Sequence, residues 1–162
     1  MKSKVKNVNS LSKILEKPRS KGKRIVFTNG CFDIIHPGHV TYLAKASKRG
    51  DILVVGLNGD SSVRKIKGPG RPINNQNARA LVLSALYFID YVCVFNEATP
   101  EKLIKKLKPD VLVKGGDWPI KDIVGGEFVR GRGGKVVSIP FVKGYSTTAL
   151  IKKISGDPGC CG

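Results

Sequence analysis

The segment Asp51-Ile52-Leu53-Val54-Val55-Gly56-Leu57 is an apolar run of strand length with no polar alternation. Such a strand must be covered on both faces, as in a parallel sheet packed between helices. Four further strand-like segments share the chain: residues 24–28, 90–95, 111–113 and 135–139. Helical patterns separate them. One runs from about 38 to 48 and stops at Gly50. Another is capped by Asn74 or Asn75 and runs to about Phe88, with Ala78, Leu81, Val82, Ala85 and Leu86 on one face. Thr99-Pro100-Glu101 opens a third, which ends before Pro109. A short helix is expected near 120–130, and a last one runs to about Ser155. Regular alternation of strand and helix predicts one α/β domain: a five-stranded parallel sheet in the order 3-2-1-4-5, helices on both faces.

Both histidines of the chain, His36 and His39, fall in Thr28-Asn29-Gly30-Cys31-Phe32-Asp33-Ile34-Ile35-His36-Pro37-Gly38-His39. This stretch joins the first strand to the first core helix. Ligands of open α/β sheets bind where strands end, because free backbone N–H groups and the helix dipole favour an anion there. Two imidazoles at that place point to phosphate handling. The plainer reading is a pair of surface loop histidines, which the flanking Gly and Pro disfavour.

Two more loops follow strands on the same sheet edge. Gly144-Tyr145-Ser146-Thr147-Thr148 brings hydroxyls to a helix start; alone it is a capping signal. Lys114-Gly115-Gly116-Asp117-Trp118 has glycines that let a ligand approach the backbone; alone it is a turn. Together the three loops outline one crevice. There is no Gly-Lys-Ser/Thr phosphate loop, and no Gly-x-Gly-x-x-Gly follows the first strand.

The formal net charge is +17. Residues 1–24 hold nine Lys or Arg against the single acid Glu16. Residues 1–23 read as a basic extension with a short amphipathic helix ended before Pro18. Leu11, Ile14 and Leu15 give that helix an apolar face, yet removal of residues 1–20 is expected to spare the chemistry. A second basic cluster, Arg64, Lys65, Lys67 and Arg71, is expected in a Gly/Pro loop, a placement better suited to a polyphosphate than to a duplex. The domain proper is expected at 24–155, with a flexible tail at 156–162. Cys31, Cys93, Cys160 and Cys161 match no zinc spacing. Cys31 and Cys93 read as packing residues, and all four suit a reducing cytosol. No apolar run reaches the length of a membrane span and no secretory signal is seen, so a cytoplasmic protein with no membrane insertion is expected.

The segment Thr28 to His39, together with Ser146-Thr147-Thr148, resembles the nucleotidyltransferase superfamily of cytidylyltransferase type, whose members share an HxGH motif and a later Ser/Thr motif. Asn29-Gly30-Cys31-Phe32-Asp33, Val55-Gly56-Leu57-Asn58, Lys67-Gly68-Pro69-Gly70-Arg71-Pro72, Val113-Lys114-Gly115-Gly116-Asp117 and Gly144-Tyr145-Ser146-Thr147-Thr148 are, in that order, similar to heptose 1-phosphate adenylyltransferase domains. In many bacteria such a domain is one half of a bifunctional protein whose other half is a sugar kinase. The resemblance spans about residues 24–155. It implies a Rossmann-like fold and a stand-alone form served by a separate heptose kinase. The implied reaction is ATP plus D-glycero-D-manno-heptose 1-phosphate giving ADP-heptose, for lipopolysaccharide core assembly, and pyrophosphate.

The same resemblance implies site residues. His36, His39 and Lys67 take catalytic roles. Thr28, Asn29, Gly30, Cys31, Phe32, Gly38, Lys114, Gly116, Asp117, Ser146 and Thr147 bind the nucleotide. Arg71 and Arg79 meet the sugar phosphate. Mg²⁺ accompanies ATP, with Asp33 the nearest candidate carboxylate. Some superfamily members carry an arginine shortly before the Ser/Thr motif, where this chain has Phe141 and Lys143. Two rivals stay open. One is a glycerol-phosphate cytidylyltransferase or a related enzyme with another acceptor; the other is a basic nucleic-acid-binding module. On the enzyme reading no nucleic acid is expected as a partner, and a homodimer is compatible with the sequence.

Overall fold

Five apolar segments pair as parallel strands in a computed structural model that describes residues 3–116 and 119–156. They are β1 (Ile25–Gly30), β2 (Ile52–Asn58), β3 (Tyr91–Phe95), β4 (Val111–Gly115) and β5 (Lys135–Ile139). The order across the sheet is β3-β2-β1-β4-β5, as the alternation predicts. The helices are α1 (Val8–Ser20), α2 (Pro37–Ser47), α3 (Asp60–Lys67), α4 (Gln76–Ala85), α5 (Glu101–Leu107), α6 (Gly126–Gly131) and α7 (Thr147–Ile154).

The sheet divides the core into two apolar layers. On one face, Val26, Leu53 and Val55 pack with Tyr42, Leu43 and Ala46 of α2 and with Ala80 and Leu83 of α4. On the other, Ile25, Phe27, Val54 and Leu112 pack with Leu11 and Leu15 of α1, with Leu103, Ile104 and Leu107 of α5, and with Val129 of α6. Strand side chains alternate between faces, so each strand feeds both layers, which explains the uninterrupted apolar runs. Cys93 is buried in the second layer, as expected of a packing residue. Cys160 and Cys161, with most of the expected tail, lie outside the described residues. No helix among the described residues is long and apolar enough to cross a membrane.

The structure corrects several local expectations. Pro18 does not end the first helix; it sits inside the last turn of α1, where loss of one backbone donor is tolerated. The segment after β2 is no loop. Asp60 in the first turn and Arg64, Lys65 and Lys67 in the last turn suit the helix dipole and build α3, so most of the second basic cluster is helical. Pro100, and not Thr99, occupies the N-cap of α5. The helix near 120–130 is divided into a 3-10 turn, Ile120–Asp122, and α6. On α4 the stripe facing the sheet is Arg79, Ala80 and Leu83; Leu81 and Val82, expected to face the core, are 69% and 48% exposed.

The largest correction concerns the basic N-terminal segment, which is not outside the core. Leu11 and Leu15 are fully buried. Arg19 donates to the carbonyls of Leu107 and Lys108 at the end of α5. Ahead of α1, Val5 forms a parallel bridge with Val92 on the outer edge of β3. Truncation of residues 1–20 therefore removes α1 and its two buried leucines from a core layer instead of a solubilising tag. Leu15→Ala is expected to lower stability by about 2–5 kcal/mol, the usual range for a fully buried leucine. Urea denaturation of the variant against the parent measures it.

Candidate active site

β1 and β4 are neighbours in the sheet, yet the chain winds outward from them in opposite directions, which opens a crevice at their carboxyl ends. The loop after β1 enters it in a tight form. Phe32 adopts a left-handed backbone, φ 45°, which costs a residue with a Cβ about 1–2 kcal/mol. The turn is held by Asp33. Its carboxylate is buried and accepts from Arg71 Nε at 2.7 Å and from the backbone N–H groups of Ile73 and Asn74 at 2.9 Å each. Asn74 Nδ2 donates back to the Asp33 carbonyl. Burial alone would raise the Asp33 pKa; the hydrogen bonds from Asn74, Ile73 and Arg71 outweigh it and hold the carboxyl below its ordinary value.

His36 is the N-cap of α2. Its Nδ1 accepts the His39 N–H at 3.3 Å, so the proton of the neutral ring sits on Nε2. The two imidazoles stack, with centroids 3.7 Å apart and planes 18° from parallel. Phe32 meets the His39 ring edge-on at 5.2 Å. Burial, then the neighbouring His36, pushes the His39 pKa down to about 4, against a weaker pull from the Ile34 backbone. Burial lowers His36 as well. Both rings are therefore neutral at pH 7 in the ligand-free chain. The glycine of the motif is required sterically: a Cβ on Gly38 would lie 3.0 Å from His36 Nδ1 and 3.1 Å from the Tyr145 Cβ.

That closeness brings the start of α7 to the start of α2. Tyr145 lies nearly parallel to His36, with centroids 6.3 Å apart. Ser146 is the N-cap of α7, its Oγ accepting the Ala149 N–H at 3.0 Å, and Thr147 begins the helix. Two helix N-termini thus converge beside the imidazole pair, a setting that favours a polyanion.

The remaining expected residues fall into three places. Asn29 and Lys114 line a cavity of about 160 Å³ on the α5 side of the sheet, with Pro100, Leu112, Asp122, Ile123 and Val124. Burial lowers the pKa of Lys114. Gly30, Cys31, Lys67 and Arg71 gather on the β1–β2 side. Burial raises the Cys31 thiol pKa, and Lys67, Arg79 and Arg71 are near enough to pull it back. Lys67 is exposed at the end of α3. Arg71 uses only Nε within the described residues and leaves both terminal nitrogens without a protein acceptor. The third group is structural. Thr28 is fully buried and its hydroxyl lies 2.6 Å from the Tyr42 hydroxyl. Gly116 is buried, donating to the Ile139 carbonyl and accepting from Ser138 Oγ. Asp117 lies outside the described residues.

Two expectations are corrected by this geometry. Arg79 does not face a substrate. It is 1% exposed, and its guanidinium donates to the carbonyls of Asn74, Cys31 and Asn58 and to the Asp60 carboxylate. Asp33 does not fit a magnesium ion, because its carboxylate is buried and already accepts three hydrogen bonds. No cluster of His, Cys, Asp and Glu suited to a metal occurs among the described residues. Sequence reasoning missed Tyr145, Asn74 and Asp60 as partners of the site. Asn74 carried a signal as a helix-cap candidate and Tyr145 as a member of the Gly144–Thr148 loop; Asp60 carried none.

Comparisons with known proteins agree with this arrangement. The cytidylyltransferase-like family matches residues 27–153. Bifunctional protein HldE of Wolinella succinogenes is 56% identical over 148 residues, which cover 91% of this chain and 30% of that protein. Bifunctional protein HldE of Trichlorobacter lovleyi is 52% identical over 152 residues, covering 94% and 31%. The chain thus spans about a third of the curated relatives it matches. Among solved structures, a lipopolysaccharide core biosynthesis protein from Thermoplasma volcanium is 30% identical with a TM-score of 0.61, covering 77% of this chain and all of that one.

Two outcomes follow from the geometry. Arg79→Lys cannot reproduce the forked donors and leaves buried carbonyls and Asp60 short of partners; a loss of about 3–5 kcal/mol is expected in urea denaturation. The histidines set a pH dependence. Their folded pKa values lie below the unfolded value of 6.5, so the unfolded chain binds more protons between about pH 4 and 6.5. Their contribution is present above pH 6.5 and is lost as pH falls toward 4. Denaturation across that window should show the slope, and His39→Gln should reduce it.

With the fold, the paired helix N-termini and the family match in agreement, the chain belongs to the cytidylyltransferase-like family of nucleotidyltransferases.

Proposed function

We propose that this chain transfers the adenylyl group of ATP to a heptose 1-phosphate, giving ADP-heptose and pyrophosphate. The observation that carries the chemistry is the convergence of two helix N-termini on the stacked His36–His39 pair. The identity to the HldE proteins supports the choice of acceptor.

A phosphate oxygen of the sugar phosphate attacks the α-phosphorus, the bond from that phosphorus to the bridging α–β oxygen breaks, and pyrophosphate leaves. The nucleophile is already an anion at neutral pH, so no strong general base is needed. The protein's task is to bring two anions together and hold the leaving group. The start of α7, with Ser146 and Thr147, receives the outer phosphates. Gly38 lets the triphosphate approach α2. His36 and His39, neutral beforehand, gain proton affinity from the arriving negative charge and donate as charge develops on the bridging oxygen. Lys67 and the free end of Arg71 meet the sugar phosphate. Backbone groups of Asn29 to Phe32, with Lys114 and Asp117, hold the nucleoside. Magnesium enters as part of the Mg–ATP substrate. A separate sugar kinase supplies the acceptor, and the reaction belongs to the cytoplasm.

The test is pyrophosphate release by the purified chain with a matrix of nucleotides and sugar phosphates. Release with ATP, Mg²⁺ and a heptose 1-phosphate together is expected. His39→Ala, folded by circular dichroism, is expected to lower turnover at least ~100-fold, in line with losing one transition-state donor. Turnover of CTP with glycerol 3-phosphate and none with ATP would overturn the proposal.

A further inference from the structure

The cavity beside Asn29 and Lys114 has a floor set by the register of the two central strands. β1 and β4 pair Phe27 with Leu112, and two residues further on the same register puts Asn29 beside Lys114 at the strand ends. Phe27 and Leu112 face the α5 layer, and alternation along each strand turns Asn29 and Lys114 the same way. Burial lowers the pKa of the Lys114 ammonium, and no carboxylate among the described residues pairs with it. Leu112, Ile123 and Val124 give the cavity an apolar lining, and Asp122, exposed on its turn, brings a carboxylate. Its volume of about 160 Å³ has room for on the order of ten water-sized groups.

The chemistry of the transfer indicates what enters. In displacement at phosphorus the attacking and leaving oxygens lie roughly in line, on opposite sides of the transferred group. The leaving pyrophosphate belongs to the starts of α2 and α7, and α2 packs on the sheet face that carries Tyr42 and Leu43. The acceptor therefore arrives from the other side, and the cavity lies on the opposite, α5 face. Cys31 connects it to the cations that meet the sugar phosphate. Its thiol is near enough to Lys67 and Arg71 for their charge to lower its pKa, and near enough to Lys114 to raise that of the ammonium. An acceptor anchored by its phosphate at Lys67 and Arg71 thus has its carbon chain beside this cavity.

We propose that the cavity receives the sugar of the acceptor, with the Asn29 side-chain amide and the Asp122 carboxylate binding its hydroxyls and Ile123 and Val124 packing on its C–H faces. The inference rests on the transfer reading above and adds to it the residues that select the acceptor. An apolar lining with a few placed polar groups suits a polyhydroxylated chain, which offers both kinds of surface. Lys114 borders both substrates on this reading, so it is left unchanged in the test.

Pyrophosphate release by the full chain tests the proposal, with ATP and heptose 1-phosphate varied separately. Asp122→Ala and Val124→Trp, the second filling the cavity, are each expected to raise the KM for heptose 1-phosphate at least ~10-fold. The KM for ATP should stay within about twofold of the parent, because only acceptor binding is lost. Should Val124→Trp fail to fold by circular dichroism, Asp122→Ala on the exposed turn decides alone. An unchanged acceptor KM in either folded variant, or a rise in the ATP KM as large as that for the acceptor, would overturn the proposal while leaving the transfer reading intact. A parent that releases no pyrophosphate with any sugar 1-phosphate would overturn both.

Discussion

One buried guanidinium holds the crevice end of this molecule together. Arg79 reaches from α4 to carbonyls at the ends of β1 and β2 and in the loop before its own helix, and it is neutralised by Asp60. Asn58 closes β2, while Cys31 and Asn74 lie in loop backbone, and a buried unpaired acceptor at any of them is costly. A charged fork can meet several at once, which no neutral side chain does as well. The loop geometry around the crevice is consequently a property of the core.

On that frame, the Asp33 clamp and the His36 cap perform complementary tasks. The clamp absorbs the strain of Phe32 and orients Arg71 by its Nε, leaving the outer end of the guanidinium available. The cap consumes Nδ1 of His36 within the protein, so only Nε2 remains for a ligand. Both residues are thus half structural. Each spends one atom on the fold and presents another to the crevice, which fixes direction without relying on a flexible side chain.

Much of this was legible in the sequence. Uninterrupted apolar strands separated by helices allow few arrangements, and the order 3-2-1-4-5 is one of them. The His-Pro-Gly-His ending marked the crevice because its residue types suit a helix start. What failed is equally physical. The stripe Ala78, Leu81, Val82 and Ala85 has the periodicity of a core face, and periodicity alone cannot distinguish two stripes on one helix. Arg79 looked like a phosphate ligand because a lone arginine among apolar residues gives no sign of the carbonyls that will surround it. Asp33 looked open because its three donors are about forty residues away. The charge of residues 1–24 masked Leu11 and Leu15, which are enough to dock a helix.

The strand-edge bridge between Val5 and Val92 has a consequence for how the chain reaches its native state. The bridge joins residues far apart in the chain, Val5 and Val92, across the outer edge of β3. Contacts of such sequence separation form late, since loop closure must be met before they stabilise anything. Until then β3 offers a row of unpaired backbone groups, a ready template for another chain. The cations of the segment that will cover this edge, Lys4 and Lys6 among them, travel with the unfinished molecule. Like charge on such segments opposes the approach of two copies. The basic segment thus does two things at one edge: its backbone pairs with β3, and its side chains bring like charge to a place where another strand could add.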